Sequence, residues 1–393
     1  MIGSINTKYF ISSCFFVLVC CFATQAQSME TTPKKVLILG GIAHIGNGDV
    51  MHNVAIALEN GYIRFVRYQM AARINRADYD TVIQLENEHI YPAFIAPNTT
   101  LGLREIDAVR ATLDYSDVGE YNPNVRSIIA YNAESRITPT IRSNGVLLAQ
   151  ITPRGGVISG SSSIVELDAW NWEDATHTED EGIHLNWPKQ FNQSGWWAEP
   201  GGLKPNPKQD ERIASIYAFF DQAQAYALAS DSNLAKSKRN KQAESIQLPY
   251  NLRFEAMKGL FNGSKTLYIH ANRAQEIVEA VQLKRKYTMP KMVIVGGYDA
   301  WLVPDVLKDD NVPVILRKVH ELPLRTDDPI DLPYRLPAIL DSLGVLFCLD
   351  MGSGDMEVMN QRNLPFLAGT AVAYGLAPEK GISSITYNTS KIL

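Results

Sequence analysis

The sequence predicts an α/β fold: a (β/α)8 TIM barrel with a small β-rich part at its N-terminal side. Three observations predict it. After Tyr91-Pro92, short apolar runs alternate with helical stretches to the end of the chain, as buried parallel strands joined by helices do. The repeat of about 25 to 40 residues suits a barrel. Residues 30–90 instead read as short β elements separated by turns. With 393 residues, 46% hydrophobic and 20% charged, the chain is too apolar for disorder and too mixed for a polytopic membrane protein.

The elements follow in order. Residues 1–26 carry one charge, Lys8, then an apolar run Tyr9–Phe22 and the small-x-small ending Thr24-Gln25-Ala26. That pattern predicts a signal peptide cut after Ala26 and export to the periplasm. The run is shorter than the roughly 20 residues that span a bilayer, although an uncleaved anchor stays open. Cys14, Cys20 and Cys21 would leave with the leader, so Cys348 remains alone. An exported chain without a disulfide must rely on its core. Lys35–Leu39 is a strand running into Gly40-Gly41. Val54–Leu58 and Tyr62–Val66 form a hairpin about Asn60-Gly61, and Thr81–Leu85 is a further strand.

The barrel then occupies residues 91–393. Its clearest strands are Thr266–Ile269, Lys291–Val295, Val312–Leu316 and Val345–Leu349. Helices fall at Ala274–Lys284, Ala300–Leu307, Pro333–Leu343, Leu364–Tyr374 and Pro378–Tyr387. Two segments interrupt the alternation. Residues 170–205 hold Trp170, Trp172, Trp187, Trp196 and Trp197 among acids, Pro and Gly, and read as a loop insertion. Residues 208–242 read as a long polar helix or helix pair, with the basic run Lys236–Lys241 on a solvated face.

The net charge of −5 leaves no basic excess to neutralise phosphates, which argues against a nucleic-acid partner. Ser161–Ser163 show no GxSxG elbow, which argues against a serine hydrolase. Gly155-Gly156 with the following serines could cradle an anion, without the pattern of a nucleotide loop. His177 and His184 are a weak metal signal in a loop.

Three stretches resemble the amidohydrolase superfamily, in its imidazolonepropionase-like branch. Ile90-Tyr-Pro-Ala-Phe-Ile-Ala-Pro-Asn-Thr-Thr-Leu101 looks like the strand-one motif that ends in HxH. Leu267-Tyr-Ile-His-Ala271 is similar to the strand-five motif. Arg362–Glu379, continuing through Thr386-Tyr-Asn388 to Lys391-Ile-Leu393, resembles the family's closing segment. The resemblance implies a metal-dependent hydrolase barrel flanked by a small β-sandwich. Relatives continue past that closing segment, so it implies a truncated sandwich here. It implies a divalent, zinc-like metal at the C-terminal mouth of the barrel, activating water. His270 matches the strand-five ligand, and Asp350 is the candidate strand-eight acid, both metal ligand and catalytic group. The pattern departs elsewhere. Asn98 and Thr100 stand at the HxH positions and Gly296 at the strand-six position. Asn98, Thr100 and His320 are left as candidate substrate-binding residues. His270 also reads as a hydrogen-bonded strand end, Asp350 as a cap and His320 as a loop residue. The implied activity is hydrolysis of carbon–nitrogen bonds in a small cyclic or peptide-like amide. The alternative is a non-catalytic binding subunit, partnered by a second amidohydrolase or by its own copies.

Overall fold

The computed structural model describes residues 34–71, 73–196, 199–239, 249–352 and 357–393. The expected leader, Trp197 and the end of the basic run lie outside them. The chain divides into two compact units.

The first unit is a single sheet. Its strands are β1 (Lys35–His44), β2 (Val50–Glu59), β3 (Tyr62–Tyr68), β4 (Thr81–Gln84) and β5 (His89–Ile90). The order is β3-β2-β1-β4, with β5 also pairing β1. The hairpin falls where expected, because Asn60 and Gly61 both take positive φ, 53° and 78°, as a type I′ turn requires. Leu37, Leu39, Ala55 and Ala57 form a small core closed by Phe65, Ile74 and Tyr79. Among the described residues, this unit has one sheet and no facing second sheet, so of the expected truncated sandwich only a single sheet is seen.

The second unit contains an eight-stranded barrel sheet. It begins with β6 (Phe94–Thr99), β7 (Val146–Ile151), β8 (Ile158–Glu166) and β9 (Thr176–Asn186). A separate hairpin follows, β10 (Phe191–Trp196) with β11 (Glu199–Pro205). The sheet resumes with β12 (Thr266–Ala271), β13 (Met292–Gly296), β14 (Val314–Leu316) and β15 (Phe347–Leu349). Its order is β6-β7-β8-β9-β12-β13-β14-β15. The two end strands are drawn together by a side-chain bond: Asn98 Nδ2 donates to Asp350 Oδ2 at 2.6 Å. The barrel is thus nearly closed.

Two expectations change. The sheet is not wholly parallel, because β8 runs antiparallel to both β7 and β9. Only residues 152–157 join β7 to β8, too few for the crossover a parallel neighbour needs. The Trp-rich segment is not simply a loop insertion either. It contributes β9, which pairs with β8 and β12 inside the barrel. Trp187 is buried in the large core and Trp172 packs against that core, while Trp170 is exposed. From β12 onward the predicted βα alternation holds, with helices Ala274–Tyr287, Pro304–Asp309 and Leu332–Ser342 between strands. The long polar segment is one helix, Gln209–Arg239.

Strand side chains alternate between two faces. Leu267, Ile269, Met292, Ile294, Val314, Leu316, Phe347 and Leu349 pack in the large core with helix residues such as Ile277, Val281 and Leu336. Burying each such aliphatic side chain stabilises by about 1.5–3 kcal/mol. Tyr268, Val293, Val295, Ile315 and Cys348 form a second cluster from the other strand face, closed by Ile392. Cys348 is buried with a free thiol.

Candidate functional site

The strand alternation that faces Val293, Val295, Ile315 and Cys348 inward also faces polar residues of β7, β8, β9 and β12 inward. They are joined in one network. His184 on β9 lies opposite Tyr268 on β12, and their rings stack at 4.6 Å. Gly182 makes this possible: a Cβ there would stand 2.2 Å from the Tyr268 ring. His184 Nδ1 is 3.0 Å from His270 Nε2, and His184 Nε2 is 3.0 Å from Ser162 Oγ. Ser162 donates to Glu181 Oε1 at 2.5 Å. Gln150 Nε2 also donates to Glu181 Oε1, at 2.7 Å, and the Tyr268 hydroxyl donates to Oε2, at 2.9 Å.

The ionisation of Glu181 sets the direction of this chain. An ionised carboxylate only accepts. With Glu181 ionised, Ser162 donates to it, so the serine oxygen accepts from His184 Nε2–H. His184 Nδ1 then accepts from His270 Nε2–H. Burial drives the ionisation states. It lifts Glu181 to about 7 against the hydrogen bonds from Gln150, Ser162 and Tyr268. It lowers His270 to about 3 and His184 well below its usual value, with the Arg154 charge adding to both. Both imidazoles are therefore neutral near pH 7.

At the C-terminal end of the strands, Asn98, His270 and Asp350 line one cavity of about 320 Å³, with Asn272, Arg317 and Glu321. Asn98 has φ 49°, a left-handed conformation that asparagine tolerates better than most residues. Its backbone N–H donates to Gln150 Oε1 at 2.9 Å, and its carbonyl accepts from Arg154 Nη2 at 2.7 Å. Asp350 Oδ2 accepts from Asn98, and Oδ1 accepts from the Gly352 N–H at 2.8 Å. Burial lifts the Asp350 carboxyl to about 6, opposed by these bonds and by the Arg154 charge. Asn272 is held in place because Glu276, inside the following helix, accepts from the N–H groups of residues 272 and 273. Arg317 pairs with Glu321. Asn98 Oδ1, Asn272 Oδ1 and Arg317 Nε are buried without a hydrogen-bond partner.

Three of the expected residues thus meet at the mouth. Two do not line it. Thr100 is fully buried with an unpartnered hydroxyl. His320 is exposed and bonds Thr370 Oγ1 at 2.7 Å, because it lies beyond the end of β14. Sequence reasoning missed Gln150, Arg154, Glu181 and Arg317, and set His184 in a loop. The missed signal for His184 was Ile183-His-Leu185, an apolar-polar-apolar alternation like that around His270.

The barrel is similar to solved amidohydrolase-superfamily structures. An amidohydrolase from Thermotoga maritima matches with a TM-score of 0.73 at 19% identity, over 91% of this chain and 88% of that one. An uncharacterized protein matches with a TM-score of 0.50 at 11% identity, over 92% and 87%. Ochratoxinase from A. niger gives 0.46 at 12%, over 91% and 83%. No protein-family model and no curated protein matches the sequence. At these identities the likeness is one of fold alone.

The divalent metal implied by the resemblance does not fit the residues at this mouth. Among the described residues, no three His, Cys, Asp or Glu side chains converge. Asp350 has both oxygens engaged, and His270 Nε2 is engaged with His184 Nδ1 at 3.0 Å. The side chains at positions 98, 100 and 296 are an amide, a hydroxyl and a hydrogen, which are poor zinc ligands.

Proposed function

We propose that this chain is an amidohydrolase-type hydrolase that binds a small cyclic amide at the barrel mouth and cleaves its carbon–nitrogen bond. One observation carries the reading: the three unpartnered groups beside Asp350 are two acceptors and one donor, namely Asn98 Oδ1, Asn272 Oδ1 and Arg317 Nε. A cyclic amide offers an N–H and a carbonyl side by side. The N–H suits the amide oxygens of Asn98 and Asn272, and the carbonyl suits Arg317. Asp350 is the proton carrier. Its carboxyl, lifted to about 6, is ionised at neutral pH yet basic enough to accept a proton from water. The hydroxide adds to the carbonyl carbon, and the C–N bond then breaks. The proton passes from Asp350 to the leaving nitrogen. Arg317 faces the oxygen that gains charge in the transition state.

The second reading is a non-catalytic binding subunit. It is favoured by the Asn98–Asp350 bond of 2.6 Å, which engages the carboxylate. In either case the leader pattern supports export to the periplasm, and a second amidohydrolase subunit or a homo-oligomer is the proposed partner. The test is a panel of cyclic amides and N-acyl amino acids, with binding by calorimetry and turnover by mass spectrometry. Hydrolysis that is lost in Asp350→Asn while binding persists supports the hydrolase. Binding without turnover in the wild type supports the second reading. Absence of both sinks the site.

A further inference from the structure

We propose that Arg154 stands in for the metal: its guanidinium is a fixed cation behind the residues of this mouth, and the site excludes a divalent ion. Arg154 follows β7 and holds the end of β6 beside the mouth. Its Nη2 donates to the Asn98 carbonyl at 2.7 Å, and the Asn98 side chain donates to Asp350 at 2.6 Å. Cation, amide and carboxylate are therefore linked through one residue. The same positive charge acts on Asp350, His270 and His184. A unit charge placed among the would-be donors repels a divalent ion strongly at such range. An arginine keeps its proton at neutral pH, so this charge is permanent.

The donor set agrees independently of that charge. His270 Nε2 is engaged with His184 Nδ1 at 3.0 Å, in a chain that ends on Glu181. Asp350 already receives the Asn98 N–H and the Gly352 N–H. What a metal would supply to the lining groups, a fixed positive charge beside the carboxylate and the imidazoles, falls to the Arg154 guanidinium held on the Asn98 carbonyl. The absence of ionisable side chains at positions 98, 100 and 296 is then one property of a site organised around an arginine.

The experiment reads metal, not turnover, so its failure and that of the proposed hydrolysis are separable. The protein is expressed with added zinc, desalted and analysed by plasma mass spectrometry, and its melting temperature is followed with zinc added. The expected result is substoichiometric zinc and no shift. Near-stoichiometric zinc that disappears in His270→Ala overturns the proposal. Arg154→Gln removes the charge and keeps hydrogen-bonding capacity. Its zinc affinity, measured by calorimetry, is expected to rise at least about tenfold, the scale set by losing a nearby unit charge. If Arg154→Gln does not fold, Arg154→Lys keeps a cation on a smaller head and is expected to stay zinc-free. Zinc uptake by Arg154→Lys, or a folded Arg154→Gln with no gain in affinity, removes Arg154 from its assigned role.

Discussion

Replacing Glu181 by glutamine tests the buried network directly. In the folded chain the Glu181 carboxyl sits at about 7, against 4.5 for an exposed glutamate, because burial outweighs its hydrogen bonds and the Lys265 charge. A carboxyl raised on folding favours the native state while it is protonated. Its contribution is fully present below about pH 4.5 and is lost as pH rises through about 7. The loss across that window is roughly 3 kcal/mol. The amide introduced by Glu181→Gln would keep an acceptor for Gln150 and Ser162 and turn an N–H to the Tyr268 hydroxyl. That exchange shifts stability by about 1 kcal/mol per altered bond, but by the same amount at every pH. The burial of His184 and His270 makes them lose stability as pH falls below about 6.5, in the direction set by their lowered pKa values. That effect is common to both proteins. The assay is urea unfolding of wild type and Glu181→Gln at half-unit steps from pH 5 to 8. The variant's stability should gain on the wild type by a few kcal/mol across this range and level off above about pH 7.5. Parallel curves would refute the reasoning.

Gly182→Ala should destabilise by about 1–3 kcal/mol, because its Cβ would meet the Tyr268 ring at 2.2 Å and the Thr266 carbonyl at 2.7 Å; a urea midpoint unchanged by the substitution would contradict the stacked geometry. Asn98→Gly should be less damaging than Asn98→Ala by about 1 kcal/mol, since both lose the bond to Asp350 but only glycine is at ease at φ 49°; equal denaturation midpoints would argue against the strained backbone. Cys348 is buried, and burial raises its thiol pKa further, so a thiol reagent at pH 8 should label it only after unfolding; rapid labelling of the native protein would place it elsewhere.

The second half of the barrel was legible because each strand there is an uninterrupted apolar run set between helices. Lys291–Val295 and Val345–Leu349 fall within a residue or two of β13 and β15. The stretch leading to β9 hid itself. Glu179-Asp180-Glu181 breaks the apolar pattern, yet Asp180 takes φ 48° at an irregular point of the pairing, and Glu181 turns into the interior. Local composition reports none of that. The Gly155-Gly156 turn was visible, but its meaning was not: a hairpin, with no helix between β7 and β8. Asn98, His270 and Asp350 were found through the family resemblance, whose motif positions fall at strand ends that share one mouth. Arg154 was not, since a loop arginine gains its role only through the carbonyl it reaches. His320 was placed at the mouth by its distance from a strand, and the chain simply turns away before it.

The inverted strand changes how this barrel could diversify. In a fully parallel barrel every strand delivers its own loop to the mouth, and each can be exchanged without disturbing the next. Here the segment 152–157 serves β7 and β8 at once, and the loop after β8 opens at the opposite end. Arg154 sits inside that shared turn. A change of length there would shift the pairing of two strands as well as the arginine. Variation in ligand preference should therefore accumulate in the turns after β9 and β12 to β15, where loop length can drift without moving a neighbouring strand.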